Sequence, residues 1–556
     1  MVNPELDASR VAAGSAQERL DLLVHAVYQR RVVPIIGSGV SANAVPASPK
    51  LISKLKDLLK QLDFLPRKGS KLSLPGLAEI AIRRHSHVRV CRVLGIAEWK
   101  DKRPAPAHRY LAMLAADGVI DEMITTNYDC CLENAWKALG RKDGLVVVSD
   151  AAELHQARPR WNDAHLVLFK INGCAKKLSK STSPKNDPDP AEEEAARKIL
   201  LTDTQLLGLE RRDERRWVRD LLRDRTRSRT LLFSGFGSDE PQVWHVVRLI
   251  LEELAALRSA RKNGGNENGE KTPPRLWAAL YDDVLPFYLL TTLADEAELR
   301  GRFPLKDGSN DGFDNIFSQA DAALFGLAEG EKLDAGAFWR RIWLEVLRRS
   351  LRDDEGPVAR CFVRASLGHT VPPPGPEVAG LLRLWSEVVG EAFESLPLDE
   401  PVDNDGKKLW EQPEPQASGA PGVAWAEDRY VTTAEEPEFW AAGVLLALHV
   451  REEGMDVGGE LRRGVPVLVA RYCRLHAWTS ATAGQSCAQA RVAGAACTKQ
   501  VTLMIDAELL RAFQQARLRD LDDVKARVWD YLREGGALRE ARRAEQERRE
   551  SRRKKA

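Results

Sequence analysis

Val119-Ile120-Asp121-Glu122-Met123-Ile124-Thr125-Thr126-Asn127-Tyr128-Asp129 passes from an apolar run straight into a cluster of short polar side chains. Val119 to Thr125 reads as a buried strand, because a brief apolar run that ends in polar residues fits one pass through a sheet. Polar side chains at the carboxyl end of such a strand face the crevice in which open α/β sheets bind ligands. Asn127 and Asp129 are therefore candidates for ribose contacts and for fixing the loop. Taken alone, either could equally cap a following helix.

Outward from that strand, the first 290 residues alternate helical and strand patterns, which predicts an α/β fold with a Rossmann-like parallel sheet. Ser15 to Arg30 reads as a helix that opens on Ser15 and Glu18, with Leu20, Leu23, Val24 and Val27 on one face. Val32 to Ile36 is a buried strand that ends in Gly37-Ser38-Gly39-Val40-Ser41. Leu51, Ile52, Leu55, Leu58, Leu59 and Leu62 mark another amphipathic helix. Further strands are expected at Leu145 to Val148, Leu166 to Ile171, Thr230 to Ser234 and Leu276 to Tyr281, and a helix after Asp239 with Pro241 in its first turn. Ser179 to Glu194 and Arg261 to Pro274 read as polar loops or insertions.

The second half is helical in its periodicity, at Phe338 to Leu351, Val378 to Phe393, Glu436 to Val450 and Ala507 to Leu532. Pro-rich linkers separate these at Val371 to Glu377 and Asp399 to Gly422. The expected division is an α/β domain at 1–290, a mainly α-helical domain at 291–535 and a charged tail at 536–556. In the tail, Arg548 to Lys555 is a solvated face or a nucleic-acid contact, and the sequence leaves both open.

Bulk properties set outer limits. A chain of 556 residues exceeds one ordinary core. Its 83 basic and 81 acidic side chains nearly cancel, so no long-range field marks it as a nucleic-acid binder. The N-terminus lacks a secretory apolar core, and the longest apolar runs are about half the ~20 residues of a membrane span. A cytoplasmic protein with no membrane contact is expected. The eight cysteines form no CxxC pair and no zinc-ribbon spacing. In a reducing compartment they read mainly as small buried side chains.

Three further strand ends carry candidate chemistry. In Gly37-Ser38-Gly39-Val40-Ser41 the glycines let the backbone approach a pyrophosphate, and free N–H groups at a helix start suit its charge. The motif lacks the full GxGxxG spacing, which counts against a dehydrogenase-type site. Lys170-Ile171-Asn172-Gly173 follows another strand. Phe233-Ser234-Gly235-Phe236-Gly237-Ser238-Asp239 runs from a strand through a Gly-rich turn into a capped helix, and is a second nucleotide cradle or simply a turn.

In this order, GSGVS, TTNYD, KING and SGFGSD resemble the sirtuin-like family, specifically the bacterial branch found in phage-defence systems, over about residues 15–290. Pro106-Ala107-His108 to Leu111 is similar to that branch's P-x-H-x-x-L helix. The resemblance implies NAD as substrate or ligand. It places Gly37, Ser38, Gly39 and Ser41 along the phosphates and Asn127 and Asp129 by the nicotinamide ribose, with Thr126 and Gly173 also among the NAD-binding residues. Asn172 falls at the position of the reacting centre, and Gly235, Ser238 and Asp239 lie towards the adenosine end. The four-cysteine zinc module of deacetylase sirtuins has no counterpart, since only Cys174 falls in that stretch, so no zinc is expected and deacylation is disfavoured.

Asn172 stands where the family carries its catalytic histidine, and it cannot take a proton near neutral pH. His165 lies far upstream along the same strand, and His155 is no better placed. Loss of the base does not by itself end the chemistry, because nicotinamide leaves neutral and needs no general acid. A base supplies about 10²–10⁴-fold. The expected activity is an NAD glycohydrolase, with Asn127, Asp129 and Asn172 as its catalytic residues. It would act in anti-phage defence and be activated by oligomerisation or by a partner such as an ATPase, an Argonaute-like protein or a phage component. The alternatives are an assembly module that binds NAD or ADP-ribose without turnover, favoured by Asn172, and a scaffold with a vestigial pocket.

Overall fold

Val32-Val33-Pro34-Ile35-Ile36, all buried, form strand β1 (Val32–Ile36) at the centre of a seven-stranded sheet. Pro34 has no N–H to give a neighbour. Pairing of β1 with β2 (Glu122–Thr125) accordingly begins only after it, at Ile35 with Ile124, whereas pairing with β5 (Thr230–Ser234) runs the whole length of β1. The remaining strands are β3 (Leu145–Val148), β4 (Leu166–Lys170), β6 (Leu276–Ala279) and β7 (Leu324–Phe325). Every pairing is parallel, in the order β3-β4-β2-β1-β5-β6-β7. The fold is thus the Rossmann-like α/β sheet that the sequence predicts. Strand order reverses around β1, the place where such sheets open a ligand crevice beyond their carboxyl ends.

This is a computed structural model that describes residues 16–61 and 73–236, apart from 140, 142, 162, 180–189 and 209–214, together with shorter stretches between 243 and 386 that include 276–279, 324–325 and 334–353. Contacts divide the chain into one unit of 1–137 and 142–346 and a second of 138–141 and 347–556. The sheet belongs to the first unit, which therefore runs beyond the residue 290 expected from sequence. Among the described residues no helix is long and apolar enough to cross a membrane.

Helices α1 (Ala16–Tyr28), α2 (Ser48–Lys60), α3 (Leu74–Arg84), α4 (His87–Leu94), α5 (Pro106–Ala116), α6 (Cys131–Ala138) and α7 (Ala151–Ala157) precede β4. After it come α8 (Pro190–Arg197), α9 (Asp203–Leu207), α10 (Arg216–Ser228) and, past β7, α11 (Ala335–Arg352). Every residue of α5 from Ala107 to Ala116 is buried. One face of that helix meets Trp343 of α11, whose ring lies 5.8 Å from Tyr110 and whose indole N–H donates to Asp117 over 3.2 Å.

Two local expectations are corrected. β2 starts at Glu122 rather than Val119, because the N–H groups of Val119 and Ile120 both turn back to Leu114 O at the end of α5. The polar stretch to Glu194 is not all loop. Pro190–Arg197 is helix α8, whose Glu193 carboxylate accepts from the backbone N–H groups of His87 and Val88 and so caps α4. After Asp239, described residues 243, 247–249, 251 and 252 are helical, and Val243, Val247 and Leu251 are buried. The Ser15 cap, the loop at 261–274, the linker at 399–422, the helices expected at 436–450 and 507–532 and the charged tail lie outside the described residues, as do the linker at 371–377 apart from residue 376 and most of 378–393.

Candidate functional site

The sheet register levels four strand ends. Ile36 pairs with both Thr125 and Ser234, and Thr125 pairs with Lys170. The residues that follow these positions are Gly37, Thr126, Gly235 and Ile171, so the four segments singled out from sequence leave the sheet side by side. At this edge Thr126 N–H donates to Ile36 O over 3.1 Å, and Thr125 Oγ1 accepts from Asn127 N–H over 3.1 Å. Those bonds turn the chain so that Asn127 sits back over β1.

There the Asn127 amide donates twice, to Gly37 O over 3.0 Å and to Ser41 Oγ over 3.1 Å. Ser41 Oγ also lies 3.0 Å from Nε2 of His108, the third residue of α5. Ala105 N–H donates to Nδ1 of that ring over 3.1 Å, so Nδ1 is the acceptor and the ring proton sits on Nε2. Burial, which outweighs the pull of Asp129, keeps the ring below the ordinary histidine range and neutral. Ser41 Oγ therefore accepts from Asn127 and from His108, and its own proton remains to be given away.

Asn172 stands two residues past Lys170, as Asn127 stands two past Thr125. Its amide donates to Thr126 O over 3.2 Å, which joins the loops after β2 and β4. Its Oδ1 is buried and has no hydrogen-bond partner among the described residues. A buried orphan acceptor costs about 1–3 kcal/mol. A hydroxyl donor delivered there would remove that cost.

The glycines answer first to the fold. A Cβ on Gly37 would stand 2.6 Å from Gly235 O, and one on Gly39 would stand 2.8 Å from Gly235 Cα. Gly235 itself has φ +76°, and Gly173 has φ +106° with a Cβ position 2.6 Å from Lys198 O. Gly37 N–H donates to Ser234 O and Gly39 N–H to Gly235 O, over 2.9 and 2.8 Å. The expected pair of free N–H groups for phosphate is thus already engaged, because the β1 and β5 turns pack backbone to backbone. Ser38 is exposed, and Thr126 is buried at the β1–β2 junction. Ser238 and Asp239 lie outside the described residues.

Beneath the two asparagine loops is a buried ion pair that sequence reading did not find. Lys170 Nζ reaches Glu133 Oε1 of α6 over 3.1 Å and also donates to Asp129 O. Burial works against the ammonium, yet Glu133 and the groups around it hold its pKa above the usual lysine range. Asp129 Oδ1 accepts from Cys131 N–H over 3.0 Å. Burial opposes its charge too, but the His108 ring once it is protonated in acid, the Lys170 ammonium and the Cys131 N–H hold the carboxyl below the usual range. Asp129 thus anchors its loop.

Among the described residues, two groups of donor atoms lie close enough to share an ion. One is His108, Asp129 and Cys131, the other Cys130, Glu133 and Cys174. In the first, both ring nitrogens of His108 are engaged, and in the second the Lys170 ammonium already serves Glu133. A cavity of about 200 Å³ lies elsewhere, lined by Val88, Cys91, Ala97, Leu178 and Ala195, and includes none of the expected site residues.

Residues 121–286 match the family model for a SIR2-like domain. A solved structure described as a Sir2 homolog–NAD complex is 14% identical, covers 59% of this chain and 94% of its own, and has a TM-score of 0.32. No curated protein matches the sequence.

The SIR2-like match begins at the start of the TTNYD strand and takes in Asn127, Asp129, Asn172 and Gly235, while Gly37 to Ser41 precede it. His165 adjoins the amino end of β4, with its ring 6.3 Å from Trp136, at the opposite end of the strand from Asn172. His155 lies on α7. Neither replaces a base at Asn172. At the strand ends, the residue that sequence reading left out of the site is His108, which precedes the matched stretch. Its P-x-H-x-x-L setting was legible, but its contact with Ser41 spans 67 positions.

Proposed function

We propose that the SIR2-like domain binds NAD at the carboxyl edge of β1, β2, β4 and β5 and cleaves the nicotinamide–ribose bond, releasing nicotinamide and ADP-ribose. The observation that carries this reading is Asn172 Oδ1, a buried acceptor with no partner among the described residues, joined through Thr126 to the loop on which Asn127 is held. A ribose hydroxyl or an attacking water supplies the missing donor. Ser41, with both lone pairs occupied by Asn127 and His108, gives its proton to the bound molecule. Asn127 fixes that geometry through two bonds, each worth about 1 kcal/mol to the fold. Cleavage lets a neutral pyridine depart, so these residues need only orient the ribose and a water and exclude bulk solvent.

In the cell this activity would deplete NAD as an effector of bacterial anti-phage defence, acting in the cytoplasm. It would be released by self-association or by a partner such as an ATPase, an Argonaute-like protein or a phage component. The helical region expected after residue 290 would do the sensing, with any nucleic-acid contact left to the basic tail.

A second reading is an assembly module that holds NAD or ADP-ribose without turnover. Two observations favour it: Asn172 offers no base, and the N–H groups of Gly37 and Gly39 are committed to the fold. Incubating the full chain with NAD and following nicotinamide separates the two. Release that Asn127→Ala lowers by about 10²-fold or more supports cleavage. Thermal stabilisation by NAD without any release supports the binding module.

A further inference from the structure

The two loops that carry Asn127 and Asn172 each continue into a cysteine. Cys130 follows Asp129 immediately before α6, and Cys174 follows Gly173 after β4. Both are buried and free, and their sulfurs lie 3.8 Å apart. A disulfide needs about 2.05 Å. Side-chain rotation and a small approach of the loops close that gap.

The surroundings favour one sulfur as the attacking group. The Cys130 thiol against it, with Lys170 nearby, outweighs burial and lowers the Cys174 pKa. That same contact, together with burial, pushes Cys130 up. Glu133 Oε1 touches both Lys170 Nζ, at 3.1 Å, and Cys174 Sγ, at 4.0 Å, so proton acceptor, ammonium and thiol form one buried cluster. Cys131 has no such setting. Burial raises its pKa and its sulfur turns to Arg103 O. Cys91 is likewise pushed up by burial, to about 12.

We infer that Cys130 and Cys174 form a hydroperoxide-responsive thiol pair, whose closure to a disulfide cross-links the Asn127 and Asn172 loops and switches the site off. The Cys174 sulfur attacks one peroxide oxygen and the O–O bond breaks. The departing oxygen leaves as alcohol or water, and Cys174 becomes a sulfenic acid. The Cys130 sulfur then displaces the hydroxyl from Cys174, and the proton of its thiol leaves with that group as water. Two thiols and one hydroperoxide give one disulfide, one alcohol (or water) and one water.

Drawing the loops together by an ångström moves the two asparagines relative to each other, and a misplacement of that size costs on the order of 10²-fold in rate. This functional arm rests on the NAD-cleavage reading, whereas the cross-link itself does not.

The test treats the full chain with stoichiometric hydrogen peroxide, alkylates, and maps peptides without reduction. The expected product links the Cys174 peptide to the peptide that holds Cys130, disappears with dithiothreitol, persists in Cys131→Ser and is lost in Cys130→Ser. Cys91 remains alkylatable. Nicotinamide release falls with the cross-link and returns on reduction, and Cys130→Ser is insensitive to peroxide. Free thiols at both positions, a bond to Cys131 instead, or sulfinic acid at Cys174 with Cys130 still free would each overturn the pair. A reversible cross-link in a chain that never releases nicotinamide would keep the pair, overturn its role as a switch and count against the cleavage reading separately.

Discussion

The Asn172 side chain hangs from Thr126 by its nitrogen, 3.2 Å from the carbonyl oxygen, while its own oxygen is buried and unpaired among the described residues. One end of the carboxamide thus fixes the loop and the other waits for a donor. An acceptor retained at such a cost is more economically read as part of a ligand site than as core.

That reading separates stability from binding at one residue. Asn172→Leu removes the orphan oxygen and adds apolar contact, so the ligand-free melting temperature should hold or rise despite the lost Thr126 bond. NAD should then no longer stabilise the variant. Thermal melts with and without NAD check both halves, and an unchanged NAD shift would remove Asn172 from the site.

The Lys170–Glu133 pair should behave as a unit. Lys170→Met strands a buried carboxylate and should cost about 3–5 kcal/mol, whereas Lys170→Met with Glu133→Leu should recover most of that loss. Denaturant midpoints of the two variants give the comparison. Equal losses in both would mean that the pair is not coupled.

Gly235 should tolerate no side chain. At φ +76° an alanine is strained, and its Cβ would meet Val40 N at 2.6 Å. Gly235→Ala should cost about 2 kcal/mol or more and shift the GSGVS turn with it. Chemical denaturation measures the loss, and a change within experimental scatter would contradict the backbone packing described above.

Acid should weaken the fold through His108. Its folded pKa lies below the unfolded value, so the unfolded chain binds the proton first. Stability is full above about pH 6.5 and falls below it, by up to about 1.4 kcal/mol per pH unit for each such ring until the folded value is reached. His87, pushed down chiefly by burial and held to Ile199 O, adds a loss of the same sign. Melting temperature from pH 7.5 to 5.5 should flatten partly in His108→Gln and further when His87→Gln is added. A wild-type profile flat over that range would show that neither ring is held neutral.

Much of the sheet was legible because its strands announce themselves locally. Val32 to Ile36, Leu145 to Val148 and Thr230 to Ser234 are apolar runs bounded by turn residues, and each has the boundaries read from sequence. β7 is two residues long and leaves no such pattern. Val119 and Ile120 were read into β2 because a buried turn and a buried strand have the same composition. At the candidate site, the asparagines and glycines could be named from sequence. What their atoms do could not, because Gly37 and Gly235 are nearly two hundred positions apart.

By itself, the sequence determined the alternation of strand and helix, the polar strand ends and an asparagine at position 172, all of which are local patterns of side-chain type. Only tertiary structure decided that Gly37 and Gly39 serve the contact with Gly235, that His108 orients Ser41, and that Lys170 and Glu133 neutralise each other beneath the loops. Those outcomes depend on which strands become neighbours and in what register, and hydrogen bonds and ion pairs only a few ångströms long form or fail according to that pairing.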